Sequence, residues 1–106
     1  MMKEKYILYG ANRVSKDFIY MFDDLIHIDG VIDEEYSEAD FIGKRILNWQ
    51  SIDLEAKIIV CDFNKTDKIE KLLKKGLSYG FDFFYEEDFF HLLDDWEIPQ
   101  NRPIAI

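Results

Sequence analysis

The chain has 106 residues, with 13 Lys and Arg against 22 Asp and Glu and a formal charge of −9. That length suits one domain able to bury roughly 65% of its unfolded surface. The acidic balance disfavours nucleic acid and anionic membrane as partners, because both select clustered cations. Nine Phe, six Tyr and two Trp in a chain that is 48% hydrophobic argue against disorder. The single Cys61 forbids an internal disulfide and fits a reducing compartment. No apolar run has the length of a membrane span, and Met1 to Lys5 lacks the pattern of a secretory leader, so the expected location is the cytoplasm.

Tyr6 to Tyr9 is a short β-prone run of the kind buried on both faces of a parallel sheet. Gly10 follows where the chain must turn sharply. Val14, Phe18, Ile19 and Phe22 then recur at helical spacing, with Arg13, Lys16 and Asp17 on the opposite face. A helix that starts directly after a strand aims its free N–H groups above the sheet edge, a place that attracts phosphate. The dinucleotide fingerprint Gly-x-Gly-x-x-Gly would fall on Gly10-Ala11-Asn12-Arg13-Val14-Ser15. Ser15 is small enough for close helix–strand packing. Asn12 is the larger departure, since it puts a side chain where the pyrophosphate approaches, and asparagine is also a favoured N-cap. Two readings stand: an altered phosphate site to which Arg13 or Lys16 adds charge, or a capped structural turn that no longer binds.

Leu25 to Asp33 reads as the second strand, with Asp33 at its carboxyl end. An acidic residue about 20 residues past the glycines bonds ribose hydroxyls in dinucleotide-binding folds, and Glu34 and Glu35 beside it would repel a 2′-phosphate. A cofactor there would be NAD-like rather than NADP-like; the competing reading is a solvated turn. Glu34 to Asp40 is an acidic loop, Ile46-Leu47 a short edge strand, and Ser51 the N-cap of a short helical turn through Ile52, Leu54 and Ala56.

Lys57 to Cys61 is the clearest strand, β-branched and central, followed by Asp62, Phe63 and Asn64 at the end where α/β sheets carry ligand residues. Asn64 or Thr66 caps the next helix, whose apolar face is Ile69, Leu72 and Leu73 and which Gly76 ends. After Gly80, Phe81 to Tyr85 reads as a further strand, and Glu86, Glu87 and Asp88 open a last helix buried through Phe89, Phe90, Leu92, Leu93 and Trp96. Pro99 stops it. The expected layout is a domain over residues 1–96 and a tail over 97–106. That tail, ending Ile104-Ala105-Ile106, resembles the entry to another strand, and hence to a further module; alternatively it pairs with a sheet edge. The fold class is α/β: a three-layer Rossmann-like arrangement with a small, mostly parallel sheet and helices on both faces.

Ile7 to Asn12, Gly30-Val31-Ile32-Asp33, Gly43 to Leu47 and Ile58 to Val60 together resemble the small Rossmann-like domains of bacterial sugar-modifying proteins. These include the N-terminal domain of sugar O-acyltransferases and the NAD-binding domain of nucleotide-sugar dehydratases of surface-polysaccharide biosynthesis. The resemblance spans roughly residues 5 to 95. It implies that a nucleotide-sugar, or NAD, is held through Gly10, Ala11, Asn12 and Asp33; where such domains carry the later glycines, this chain has Asn12 and Ser15.

Catalytic patterns are missing. None of the tyrosines has a lysine four residues on, there is no phosphate-binding glycine–lysine–serine loop, and His27 and His91 lack metal-ligand spacing. Cys61 has no identifiable base, and neighbouring carboxylates such as Asp94-Asp95 do not converge. The chain reads as a nucleotide or nucleotide-sugar binding module, not catalytic on its own and without a metal, that serves a catalytic domain in the same polypeptide or assembly. Its expected contacts are Gly10, Ala11, Asn12, Arg13, Ser15, Asp33, Cys61 and Asn64. The alternative is a scaffold that has lost the ligand and is kept for docking or homodimerisation.

Overall fold

A computed structural model describes residues 4–53 and 55–93. The chain runs β1 (Lys5–Tyr9), α1 (Arg13–Phe22), β2 (His27–Ile32), β3 (Asp40–Phe41), β4 (Lys44–Leu47), β5 (Lys57–Val60), α2 (Thr66–Lys74) and β6 (Phe83–Tyr85), then a 3-10 turn over Glu86–Phe89. The six strands form one sheet in the order β3-β4-β2-β1-β5-β6. All pairings are parallel except the β3–β4 hairpin. This is an α/β arrangement. Among the described residues, no helix is long and apolar enough to cross a membrane.

Alternation along the strands explains why both sides of the sheet are packed. Leu8, Ile28, Val31 and Ile59 lie in a core with Phe18, Ile19 and Phe22 of α1, whereas Ile7, Tyr9, Ile32, Ile58 and Val60 lie in a second core with Leu72 of α2. Phe18 and Phe22 stack at 4.5 Å, and Phe89 meets Phe18 edge-on at 5.8 Å, so the 3-10 turn closes the first core. β2 accommodates an extra residue against β1, with Tyr6 opposite Ile28 but Ile7 opposite Gly30.

Several sequence expectations are adjusted. β2 begins at His27, not Leu25, because Leu25 and Ile26 donate their N–H groups to Phe22 O in the turn that leaves α1. β3 was unexpected; it exists because Ile42 at φ +50° and Gly43 at φ +77° turn the chain back on itself. Ser51 does not cap a helix: its hydroxyl donates to Asn48 O and accepts from Asn48 N, closing a turn. β6 starts at Phe83, since Phe81 and Asp82 are held in a turn on Ser78 O.

The N-cap of α2 is Lys65, and Asn64 Oδ1 instead accepts from Thr66 N at 3.1 Å, one residue early. Gly76 ends α2 as expected, with Leu77 N bonded to Leu72 O and Gly76 N to Leu73 O. Leu73, expected inside, is 55% exposed because the apolar stripe of α2 is narrow and centred on Leu72. The last helix begins as a 3-10 turn, because Asp88 folds back to accept Tyr85 N at 2.9 Å. Trp96, Leu54 and the 97–106 tail lie outside the described residues.

The β2–β4 pair has no spare room at Gly30. A Cβ there would lie 2.6 Å from Leu47 Cδ1 and 2.9 Å from the Arg45 carbonyl oxygen. Gly30→Ala is therefore expected to lower unfolding free energy by about 1–3 kcal/mol in a urea titration; an unchanged midpoint would show that β4 is not held closely against β2.

Candidate functional site

β1, β2 and β5 end together, and their carboxyl ends frame the β1–α1 turn. Gly10 sits at φ +125°, and a Cβ on it would lie 2.2 Å from the Cys61 carbonyl oxygen. Glycine is needed here because the neighbouring strand end passes so close. The turn is closed by its own side chains. Asn12 Oδ1 accepts from Val14 N and Ser15 N at 2.9 and 3.3 Å, Ser15 Oγ accepts from Asn12 N at 2.9 Å, and together they form a capping box. Asn12 Nδ2 donates to Cys61 O at 2.9 Å, tying the helix start to β5. Gly10 N donates to Ile32 O, and Ala11 N donates to Asp33 Oδ2 at 2.8 Å. The amide donors of Gly10, Ala11, Asn12, Val14 and Ser15 are thus already engaged.

Beside this turn lies a cavity of about 370 Å³. Asp33, Glu34, Glu35, Asp62 and Asp67 line it, against Lys68 and Lys71, with Tyr9, Asn12 and Asn64 completing the wall. Lys68 is committed to Asp62 at 2.7 Å, and its ammonium lies 5.5 Å from the centre of the Tyr9 ring. Burial pushes the Asp62 carboxyl up, but the Lys68 hydrogen bond and charge, with the Phe63 and Asn64 N–H groups, hold it below the usual carboxylate range. Lys65 is mostly buried, donates to Asp62 O and pairs with Glu86 at 3.1 Å.

A second cavity of about 450 Å³ adjoins it across Asp33 and Glu34. Half of its lining is apolar (Ile32, Ile46, Leu47 and Trp49) and half polar (Asp33, Glu34, Asn48 and Gln50). Glu34 stands between the two cavities. Its Oε2 accepts from Tyr9 Oη at 3.0 Å and from Trp49 Nε1 at 2.9 Å, while Lys71 Nζ lies 3.9 Å from Oε1. Burial raises the Glu34 carboxyl, yet hydrogen bonds from Trp49, from its own backbone and from Tyr9, with the Lys71 charge, leave it below its ordinary value. Tyr9 is pushed well above an ordinary phenol, by burial first and then by Glu34.

The expected residues divide in three. Asn12, Asp33 and Asn64 line the polar cavity, and Gly10 and Ala11 form the turn at its base. Arg13 points to solvent beside Asp17, and Ser15 is fully buried in the capping box. The Cys61 thiol is fully buried, and only its carbonyl serves the site. Burial first, and then Glu86, push that thiol far up, so it stays protonated and inert at neutral pH. Sequence reasoning missed Tyr9, Trp49, Lys68 and Lys71 as site residues. Trp49 was in principle visible, standing two residues past a strand end; Lys68 and Lys71 share one face of α2 at i, i+3 spacing. Among the described residues, no group of three His, Cys, Asp or Glu side chains is placed to hold a metal ion.

Asn12 does two jobs, and substitution separates them. Asn12→Ala is expected to cost about 1–2 kcal/mol through the lost cap. Asn12→Ser keeps a capping oxygen but not the Cys61 link, and should cost about 1 kcal/mol. Denaturant titrations check both; an alanine variant as stable as the parent would show that the cap does not hold the turn.

Compared with known proteins, the chain matches no protein-family model, no curated protein and no solved structure.

Proposed function

We propose that this chain is a Rossmann-like binding module for a nucleotide or nucleotide-sugar, NAD included, held above the carboxyl ends of β1, β2 and β5. The support is positional first. β2 leaves β1 on one side and β5 flanks it on the other, so the crevice lies where the strand order reverses, the usual ligand position in open α/β sheets. α1 and α2 belong to different cores, in keeping with a three-layer arrangement. The observation that carries the reading is the pair of cavities sharing Asp33 and Glu34. A planar base suits the slot beside Trp49, and ribose hydroxyls suit the two carboxylates.

The same features argue for a grip on the nucleoside end. Five carboxylates face two lysines in the polar cavity, and both lysines already have a partner among them, Lys68 with Asp62 and Lys71 with Glu34. At the helix tip the N–H groups of Ala11, Val14 and Ser15 are satisfied by Asp33 and Asn12, and that of Asn12 by Ser15. The module would serve a catalytic domain in the same polypeptide or assembly. The resemblance of the turn and of Gly30 to Asp33 points to a cytoplasmic protein that modifies bacterial sugars or surface polysaccharide. A second reading, a scaffold that has lost its ligand, is favoured by the self-closed helix tip and by exposed Tyr20, Phe63 and Phe81, at 69%, 80% and 74%.

Calorimetry with NAD, UDP-glucose and AMP tests this. Binding of at least one is expected, weakened about tenfold by Asp33→Asn as a charge-assisted hydrogen bond is lost. No heat from any of the three on the folded protein would overturn the reading in favour of the scaffold.

A further inference from the structure

The two cavities adjoin across Asp33 and Glu34. Tyr9 lines the polar one and Trp49 the apolar one. Their rings meet edge-on at 5.1 Å and 88°, and both donate to the Glu34 carboxylate, which lines both cavities. Lys75 lies 4.5 Å from the centre of the Trp49 ring and Lys71 3.9 Å from Glu34, so two residues of the α2 end brace the group from the same side. Tyr9, Glu34 and Trp49 are thus linked by mutual hydrogen bonds and aromatic contact, with the Glu34 side chain 41% exposed.

We propose that Tyr9, Glu34 and Trp49 form a septum that sets the size and charge of what the crevice admits, with Glu34 as the specificity-determining residue. This rests on the binding reading above. Glu34 acts twice. Its two accepted hydrogen bonds keep the indole in place as the wall of the apolar slot, which preserves a compartment for a single flat ring system. Its negative charge, next to Asp33, stands on the way from that slot to the polar cavity, where a diphosphate would have to pass. The intact septum therefore favours the nucleoside end of such a ligand and gives its phosphates little. A ligand long enough to occupy both cavities gains little from its second half.

The prediction is a change in rank order. With the parent protein, adenosine and uridine should bind at least as tightly as NAD and UDP-glucose, respectively. In Glu34→Ala the diphosphate ligands should gain about fivefold as the facing charge is removed, while the nucleosides weaken because Trp49 loses its anchor. Glu34→Gln, which keeps one acceptor oxygen for Trp49, should retain nucleoside binding better than Glu34→Ala. Equal weakening of all four ligands in Glu34→Ala would overturn the septum. Ligand-free fluorescence separates this failure from failure of the binding reading. In a Trp96→Phe background, Trp49 emission should shift to the red and become more accessible to acrylamide in Glu34→Ala. Unchanged emission would overturn the septum even if nucleotides bind, whereas a red shift with no binding of any ligand would overturn the binding reading and, with it, the specificity role of Glu34.

Discussion

The structure depends on one close approach, where the β1–α1 turn passes under the end of β5. The Cys61 carbonyl lies so near Gly10 that only a hydrogen fits between them. The same carbonyl receives Asn12 Nδ2, whose partner oxygen caps α1. Through these few atoms the central strand, the first helix and the neighbouring strand are fixed to one another. Asp33 completes the set from β2 by holding Ala11 N. The ends of β2 and β5 each supply polar atoms to the turn that leaves β1.

That closure determines what the crevice can do. In a glycine-rich turn the helix N–H groups are left for a ligand phosphate. Here those of Ala11, Asn12, Val14 and Ser15 are spent inside the protein, and the carboxylates around the cavity outnumber the lysines. Attraction for an anion is therefore weak at the place where the topology would put one. What remains is an apolar slot with an indole wall and two carboxylates suited to hydroxyl groups. Binding and architecture are not independent, since Asn12 serves the fold with the atoms a phosphate would otherwise displace.

The parts of the fold that were legible in the sequence are those set by local pattern. β1 and β5 are short apolar runs because both of their faces are covered, and α1 shows its buried stripe at helical spacing. Asn12 as a cap and Gly76 as a helix stop followed from residue chemistry alone. The hairpin of β3 and β4 was hidden because a two-residue strand leaves no alternation to read, and Ile42 gives no warning that it will take a left-handed conformation. The site was half legible. Asp33 and Asn12 announce themselves by position, whereas the meeting of Trp49 with Tyr9, Glu34 and Lys75 joins residues far apart in the chain and depends on how the β4–β5 loop folds over the second core.

The tip of α1 is closed by the protein's own groups, and the proposed ligand contacts lie at Asp33 and Trp49. Amide and indole NMR signals followed during separate additions of pyrophosphate and adenosine test this most directly. Adenosine is expected to move the Trp49 indole and the Asp33 and Glu34 amides, while pyrophosphate leaves Ala11, Asn12, Val14 and Ser15 unmoved. Saturable shifts of those turn amides with pyrophosphate, and none at Trp49 with adenosine, would contradict it.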